Sequence, residues 1–266
     1  MTDRLFKREA NLILKNDNGS FDYSGLRFAF DVKKNIKKET NTAKIDIYNL
    51  REASRSQFEV KNSVITLNAG YETTISAIFK GHIDTVKHYY KGPDLITQIV
   101  ANDGQIQYRR TRFDKSYPSG ATITSIIRDI STTIGLPLYV ADDVDLTVRY
   151  GQSVAFLGLA KNALDTVCNK IGVLWSIQDQ VLQLVKEDSS TQPDLILINK
   201  NTGMIHYPTK TEEGVKFKSL ILPALTPGRK VKIESEFIKG IFVAQNVSHV
   251  GDIRGSDFAT DCEAYG

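Results

Sequence analysis

The segment Gly214-Val215-Lys216-Phe217-Lys218 alternates apolar and charged side chains, which is the two-residue period of a β-strand. The segment Lys230–Glu234 has the same period. Between them, Thr226-Pro227-Gly228-Arg229 predicts a type II turn, because proline presets the first central φ angle and glycine accepts the positive second one. Thr202–Gly266 is therefore predicted to form a small all-β unit. The side chains predicted to face its interior are Val215, Phe217, Val231, Ile233, Ile241, Val243, Val247, Phe258, Thr260 and Cys262.

The N-terminal third of the chain shows the same alternation. Its first two strands place Leu26, Phe28, Phe30 and Val32, and then Ala43, Ile45 and Ile47, in the interior. Further strands are predicted at Val64–Tyr71, Ile75–Lys87 and Leu95–Ala101. A short helix is predicted at 51–58, with Asn49 as its N-terminal cap. Gly81 marks a bulge or a close backbone approach. This pattern is typical of a partly closed barrel or a strongly curled sheet.

Four lysines fall within the six residues Lys33–Lys38, between the first two predicted strands. One interpretation is a solvated strand connection, because runs of charge are usually hydrated. The other is a basic patch that faces an acidic partner or the phosphates of passing DNA.

The middle third has helical periodicity. A helix is predicted from Thr122 to Ile134, and Gly135 ends it. Its buried face consists of Ile123, Ile126, Ile127, Ile130 and Ile134. A second helix is predicted from Val154 to Ile171, with Ser153 as its cap and Gly172 as its end. Its buried face consists of Leu157, Ala160, Leu164, Val167 and Ile171. A hairpin of Val173–Ile177 and Val181–Val185 is predicted to follow, with Trp175 packed against the second helix.

The predicted fold class is mainly β with an α+β insert. Two β-barrel-like domains, at 1–110 and 196–266, flank a small α+β domain at 111–195. The polar segment Lys186–Pro193 is predicted to be a linker.

Composition limits the classes of function. The chain has 266 residues, 41% of them hydrophobic and 24% charged, and a net charge of +3. Near-neutral charge does not indicate a nucleic-acid coating protein. Apolar runs are too short for a membrane span, and Met1–Lys7 lacks the apolar segment of a signal peptide. Cys168 and Cys262 belong to no motif, so both are predicted to be buried, reduced thiols.

Three sets of residues invite a chemical interpretation. His82, Asp84 and His88 share one predicted strand face, but neighbours on that face lie about 6 to 7 Å apart and the third ligand lies much farther away, so a metal site is not expected. His249, Asp252 and Ser256 lack the nucleophile elbow of a hydrolase. Gly151 and Gly158 are not followed by the Gly-Lys-Ser/Thr of a phosphate loop.

The basic and aromatic segment Tyr108–Phe113 could stack on bases, although such a segment is more often a boundary or interface strand. No catalytic, cofactor-binding or metal residue is therefore predicted, and no cofactor. The chain is predicted not to be an enzyme.

Several segments in order resemble one family. Asn41-Thr42-Ala43-Lys44-Ile45-Asp46-Ile47-Tyr48-Asn49-Leu50 resembles the strand and helix cap found early in many phage tail hub proteins. Phe79-Lys80-Gly81-His82-Ile83 is similar to the F-x-G-x-I strand of those proteins. Four later segments resemble the final β domain of that family, namely Thr202–Ile205, Glu213–Val215, Leu220–Gly228 and Val247–Asp252. The family is the central baseplate hub of contractile-tailed bacteriophages, a tail hub or late control protein D-like family.

The resemblance implies a homotrimer at the distal end of the tail. Two β-barrel-like domains in each of three chains would present six similar units to the six-fold tail tube protein, and a three-fold face would hold the trimeric tail spike protein. It further implies contacts with other baseplate proteins, and DNA only in transit through a central channel. The protein would be assembled in the bacterial host cytoplasm, would reside in the virion tail baseplate, and would have no stable membrane insertion.

Two alternatives stay open at this point. One is the hub of a contractile bacteriocin or of a type VI secretion apparatus, and the other is a tail-associated cell-wall hydrolase.

Overall fold

The computed structural model describes residues 7–36, 40–72, 74–104, 110–186 and 195–266. Two compact units are present. The first contains the described parts of Met1–Asn35, Asn41–Asp103 and Pro193–Gly266. The second contains those of Ile36–Thr40 and Gly104–Gln192. The first unit is therefore built from both ends of the sequence.

The elements follow one another along the chain with these bounds. The part before the second unit contains β1 (Arg8–Asn16), β2 (Gly19–Asp22), β3 (Phe28–Asn35), β4 (Thr42–Tyr48), α1 (Glu52–Phe58), β5 (Val64–Tyr71), β6 (Ser76–Lys91) and β7 (Asp94–Asn102). The second unit contains β8 (Lys115–Tyr117), α2 (Ile123–Ile134), β9 (Leu138–Val140), β10 (Val154–Phe156), α3 (Ala160–Lys170), β11 (Leu174–Gln178) and β12 (Val181–Val185). The C-terminal part contains β13 (Ile196–Ile198), β14 (Met204–Lys210), β15 (Gly214–Leu220), β16 (Lys230–Glu234), β17 (Lys239–Asp252) and β18 (Phe258–Tyr265).

One sheet runs through the whole first unit. Among the described residues it has thirteen strands, in the order β14-β15-β18-β17-β3-β4-β7-β6-β5-β1-β2, with β16 paired to β17 and β13 paired to β16. The antiparallel pair β17–β3 joins the two ends of the sequence, for example through Val250 opposite Asp31. The fold is therefore mainly β with a small helical insert, which confirms the predicted fold class.

Alternation places two apolar cores along this sheet. The core of the N-terminal strands contains Phe28, Phe30, Val32, Ala43, Ile45 and Ile47, which confirms those predictions. Leu26 is exposed, since it lies before β3 and outside the alternating strand. The core of the C-terminal strands contains Val215, Phe217, Val231, Ile233, Val247 and Cys262, again as predicted.

Ile241 is a wrong prediction, because its side chain is 56% exposed. The cause is a register shift between Ala244 and Asn246, where β17 pairs with β18. An extra residue in a strand reverses which side chains face the interior. The interior row before the shift therefore includes Ala244, and the row after it includes Val247.

The predicted Asn49 cap is also wrong. Helix α1 begins after Arg51, which has no side-chain capping hydrogen bond. Asn49 has a positive φ of 55°, and its side-chain oxygen accepts a hydrogen bond from the Leu95 backbone at 2.9 Å. It therefore connects two strands instead of capping a helix.

The second unit packs α2 and α3 beside a three-stranded sheet, ordered β11-β12-β9, and a two-stranded sheet of β8 and β10. All five predicted isoleucines of α2 are buried, and Gly135 ends the helix with a φ of 76°. The β11–β12 hairpin is also confirmed, with a two-residue connection in which Asp179 and Gln180 both have positive φ. Such a turn matches the twist of the two strands.

The second predicted helix begins too early. Val154–Phe156 forms β10, paired with β8, and α3 starts only at Ala160. Gly158, with a φ of 120°, lies between the strand and the helix. Leu157 is consequently 82% exposed, so its predicted burial is wrong. Leu164 and Val167, on the same predicted face, are buried as predicted.

Trp175 and both cysteines lie inside the molecule, as predicted. Trp175 belongs to the same buried cluster as Leu164 and Val167, and its indole Nε1 donates to Asp165 Oδ1 at 2.9 Å. Cys168 and Cys262 are free thiols and are buried. Burial raises the pKa of the Cys262 thiol.

Candidate assembly surfaces

The C-terminal end of the large sheet is an open strand edge. Among the described residues, strand β14 pairs with β15 and with no other strand. Its pairing shifts between Ile205 and Thr209, and His206 has a φ of 61° in this bulge. Within the bulge Tyr207 is 60% exposed while Pro208 is buried. The bulge thus turns an aromatic side chain away from the core.

A groove of about 770 Å³ lies beside this edge. Its walls come from β14, from β16, from the first residues of β17, and from the turns next to these strands. Tyr207 and Phe237 pack edge to face with their ring centroids 5.0 Å apart, and the Tyr207 hydroxyl donates to Glu236 Oε2 at 3.0 Å. Phe237 is 68% exposed. This aromatic pair and the groove are here called the β14 groove.

A second exposed surface lies at the end of the β6–β7 hairpin. Strand β6 pairs with β5 only as far as His82, whereas its pairing with β7 continues to Lys91. Thr85–Lys91 therefore has a strand partner on one side only, within the described part of the chain. Tyr90, near the turn, is 76% exposed. Residues 89–94 are here called the hairpin end.

The outward face of the same sheet carries charges that compensate one another. Lys216 pairs with Glu263, Lys218 with Asp261 at 3.5 Å, and Lys33 with Asp31 at 3.6 Å. These pairs are exposed, so each contributes little to stability. They leave the face polar with little net charge along β3, β15 and β18.

Arg27 and Asp252 form a more shielded pair, with Nη2 and Oδ2 2.9 Å apart. Burial by itself would raise the pKa of Asp252, but the hydrogen bonds from Arg27 and from the Arg254 backbone outweigh it and hold the pKa below its usual range. The pair holds the start of β3 to the end of β17.

The residues tested for a metal site do not converge. Among the described residues, no group of three or more histidines, cysteines or carboxylates could hold a metal ion. A register shift between Ile83 and Thr85 interrupts the face that His82 and His88 were predicted to share. His88 lies between Thr97 and Glu59, at 3.1 and 3.3 Å. Burial lowers the pKa of His82.

His249, Asp252 and Ser256 do not form a hydrolase triad. His249 is fully buried in the sheet, with its Nδ1 2.9 Å from Thr260 Oγ1. Asp252 is bound to Arg27, and the Ser256 hydroxyl lies 3.4 Å from Asp257. Burial lowers the pKa of His249 to about 3, the Lys34 charge acts in the same direction, and the Leu225 carbonyl opposes both. A histidine held neutral in a core cannot activate a surface serine.

The structure contradicts the interpretation of the lysine run as a solvated connection and the interpretation of segment 108–113 as a base-stacking surface. Lys33 and Lys34 belong to β3, and Lys34 is buried, so the run is not a simple solvated connection. Lys37 and Lys38 lie outside the described residues. In the segment 108–113, Tyr108 and Arg109 lie outside them too, and Phe113 is buried where it cannot stack on a base. Arg112 binds Asp114 at 3.1 Å.

Sequence reasoning missed the aromatic residues of both surfaces. Tyr207 precedes a proline in an edge strand, and Tyr89-Tyr90 precedes Gly92-Pro93 in a turn. Two aromatic residues beside a turn break the apolar–polar alternation, and that break was the available signal.

Comparison with protein families decides the assignment. The profile of the family described as baseplate hub gp41 matches residues 12–242. The chain belongs to this baseplate hub family. The family consists of structural hub proteins and not enzymes, so the hydrolase alternative loses its support and the prediction of a structural protein is confirmed. No curated protein matches the sequence.

Solved structures share the fold of this hub. The 43 kDa tail protein of prophage MuSo2 from Shewanella oneidensis is 11% identical, with a TM-score of 0.67 and 96% of each chain covered. The tail protein of Neisseria meningitidis MC58 is 9% identical, with a TM-score of 0.66, covering 98% of this chain and 97% of that one. The Escherichia coli c3393 protein, a type VI secretion component with similarity to phage T4 gp27 and gp5, is 10% identical, with a TM-score of 0.62, covering 90% and 73%. At these identities the likeness shows the fold alone.

Family membership places the hub in the virion tail. In the residues that the structure describes, none of the helices is long and apolar enough to span a membrane.

Proposed function

We propose that this baseplate hub is a homotrimer that adapts the six-fold tail tube to a three-fold spike. The observation that carries the proposal is that one continuous sheet holds two separate apolar cores. One is built mainly from the N-terminal strands, with Ile221 and Phe258 added, and the other is built from the C-terminal strands. Three such chains supply six β-rich modules to one face while keeping three-fold symmetry. The module boundaries 1–110, 111–195 and 196–266 belong to this proposal.

The trimer encloses a central channel through which DNA passes during genome ejection. The outward face along β3, β15 and β18 supports this role, because the charges there are paired within the face. A polyanion moving past such a surface finds few unpaired lysines to bind. A near-neutral wall therefore favours passage over adsorption.

The proposed partners are the tail tube protein, the trimeric spike protein and other baseplate proteins, with assembly in the cytoplasm of the bacterial host. The fold shared with a type VI secretion component supports a second candidate, the hub of a secretion apparatus or of a contractile bacteriocin. The protein encoded beside it discriminates: a phage tape-measure and capsid set supports the virion, and a secretion gene set supports the second candidate.

The test of the trimer is a mass measurement. Light scattering of the purified chain, alone and mixed with its spike, is expected to give three copies in at least one preparation. A ring of this kind should bury more than about 2,000 Å² in each obligate interface. A stable monomer in both preparations contradicts the proposal, and six copies of the chain contradict the two-module count.

A further inference from the structure

The connection between β15 and β16, residues 221–229, has no helix or strand and is nevertheless mostly buried. Irregular connections usually lie on the surface, because the backbone polar groups of a buried one need hydrogen-bond partners. The Ile221 side chain is buried in the core of the N-terminal strands, whereas the Leu225 side chain is buried in the core of the C-terminal strands. The segment therefore crosses from one apolar core to the other. Residues 221–229 are here called the strap.

A row of polar side chains lies in the sheet between these two cores. Ser219 on β15 is opposite Thr260 on β18, and Thr260 is opposite His249 on β17. All three side chains are buried. Two residues away from Thr260 along β18, Cys262 belongs to the core of the C-terminal strands, and two residues away in the other direction, Phe258 belongs to the core of the N-terminal strands. Buried polar groups cost free energy unless they are hydrogen-bonded, so this row needs partners.

The strap and the polar row supply hydrogen-bond partners to each other. The Leu222 backbone N–H donates to Thr260 Oγ1 at 3.0 Å, and the same oxygen lies 2.9 Å from His249 Nδ1. Burial lowers the pKa of His249, and the Leu225 carbonyl acts in the opposite direction, as an acceptor does toward a ring N–H. The buried Ser219 hydroxyl has no hydrogen-bond partner among the described residues. Thr260 and His249 are therefore the members of the row that act on the strap.

The strap is attached differently at its end and in its middle. At the end near β16, backbone hydrogen bonds of 2.8 and 2.9 Å join Gly228 and Arg229 to Ala244. In the middle, the Leu222 N–H is bonded to the Thr260 side chain and not to the backbone of a strand. This attachment can therefore be lost without unpairing any strand.

We propose that the strap opens and closes over the sheet, with Thr260 as its attachment point and His249 as the residue that orients the Thr260 hydroxyl. In the closed state, Ile221 and Leu225 place one segment in both apolar cores. In the open state the strands stay paired, but the two cores lose this shared segment at the row where polar side chains interrupt the apolar packing. The strap therefore controls how rigidly the two cores are held together. This inference concerns a single chain and does not rest on the proposed homotrimer.

Native-state hydrogen exchange of the full chain tests whether the strap opens by itself. Peptides that cover residues 221–226 are expected to exchange faster than peptides of β18. Their exchange rate should change little with urea below the unfolding midpoint, because a local opening exposes little surface. The exchange of β18 should rise steeply with urea. If the strap and β18 share one rate and one urea dependence, the strap opens only when the sheet unfolds, and the inference is wrong.

Three variants test the attachment point. Thr260→Val keeps the approximate shape of the side chain and removes its hydroxyl, so the strap should exchange about tenfold faster in the absence of urea, as expected when one buried hydrogen bond is lost. Thr260→Ser keeps the hydroxyl and should exchange at nearly the natural rate. Ser219→Ala is the matched control, because it removes a hydroxyl of the same row that has no partner in the described part of the chain.

Each variant also has an outcome that overturns the inference. An unchanged strap in Thr260→Val means that Thr260 does not hold it. Equal acceleration in Thr260→Ser means that packing of the methyl group is responsible, and equal acceleration in Ser219→Ala means that the effect is common to the whole row. If circular dichroism shows that Thr260→Val does not fold, the urea dependence of the natural protein decides whether the strap opens by itself.

Discussion

The two units of this hub bury different kinds of side chain. In the described residues, every buried lysine, arginine, aspartate or histidine belongs to the first unit, where they are Lys34, Asp103, Arg229 and His249. The buried polar residues of the second unit are Ser131, Ser176 and Gln178. A buried charge needs partners in fixed positions, which a sheet supplies through its register. The stability of the first unit therefore depends on strand register, and the stability of the second depends on close packing of its core.

The largest expected effect tests the apolar core of the second unit. Trp175→Ala should lower the free energy of unfolding by about 3 to 5 kcal/mol, because it removes a buried indole and leaves a cavity. The change also leaves Asp165 without the hydrogen bond from Nε1. Denaturant melts followed by circular dichroism measure the loss.

Leu157→Ala is the matched control for that experiment, because this side chain is in the same unit but almost fully exposed. Its effect should stay within about 0.5 kcal/mol. A loss below about 1 kcal/mol for Trp175→Ala would mean that close packing of this core does not determine the stability of the second unit. The proposed difference between the two units would then be wrong.

The next effect tests register in the first unit. Gly214 lies where β15 and β18 pair, and an added Cβ would overlap the carbonyl oxygen of Ala264. Backbone atoms cannot move aside as a flexible side chain can, so Gly214→Ala should cost about 1 to 3 kcal/mol. Gly25→Ala is the control, since no atom lies within 4 Å of its added Cβ. Equal stability of the two variants would show that the β15–β18 register tolerates displacement.

A third prediction concerns pH, and it applies to the first unit through His249. Its pKa is lowered to about 3 in the folded protein, from an ordinary value near 6.5, chiefly by burial. Below pH 6.5 the unfolded chain takes up a proton that the folded chain refuses, so stability falls as the pH falls toward 3. The slope contributed by this one group is at most about 1.4 kcal/mol per pH unit.

Urea melts at pH 7.0, 6.0 and 5.0 measure that slope. His249→Gln removes the titrating ring, so its stability should fall less steeply with pH than that of the natural protein, whatever its absolute stability. Carboxylates with lowered pKa values, such as Asp129 and Asp252, titrate alike in both proteins and cancel in the difference. Parallel curves for the two proteins would mean that His249 takes up its proton readily in the folded state.

The sequence predicted the parts of this fold whose cause is local. The isoleucine row of α2 and its ending at Gly135 depend on neighbours within one or two turns, and both are confirmed. The pairing of β17 with β3 joins residues more than two hundred positions apart, and alternation carries no information about which strands meet. The bulge that exposes Ile241 lies between Ala244 and Asn246, where the sequence has no glycine or proline, so the interior row was continued past it.

The candidate surfaces were harder to predict for a related reason. Exposure of Tyr207 follows from a bulge in an edge strand. Exposure of Tyr90 follows from the β5–β6 pairing, which stops at Val64 opposite His82 while β6 continues. In both cases the exposure depends on the strand having a paired strand on one side only, among the described residues. A single sequence specifies strand faces well, but it does not state which edge remains open.

The smallest effect compares the two units through their own thiols, with no substitution at all. Cys168 reports on the second unit and Cys262 on the first, and both are buried, so labelling by a thiol reagent requires opening of the structure. Cys262 pairs in the centre of the sheet, opposite Phe217 on one side and Val247 on the other. We therefore expect slow labelling of both in native buffer, with Cys262 the slower, because exposing it requires two strand pairs to separate. Mass spectrometry of peptides after timed labelling measures the two rates. Fast labelling of Cys262 alone would show that the sheet opens more readily than the helical core, which is the reverse of a register-held unit.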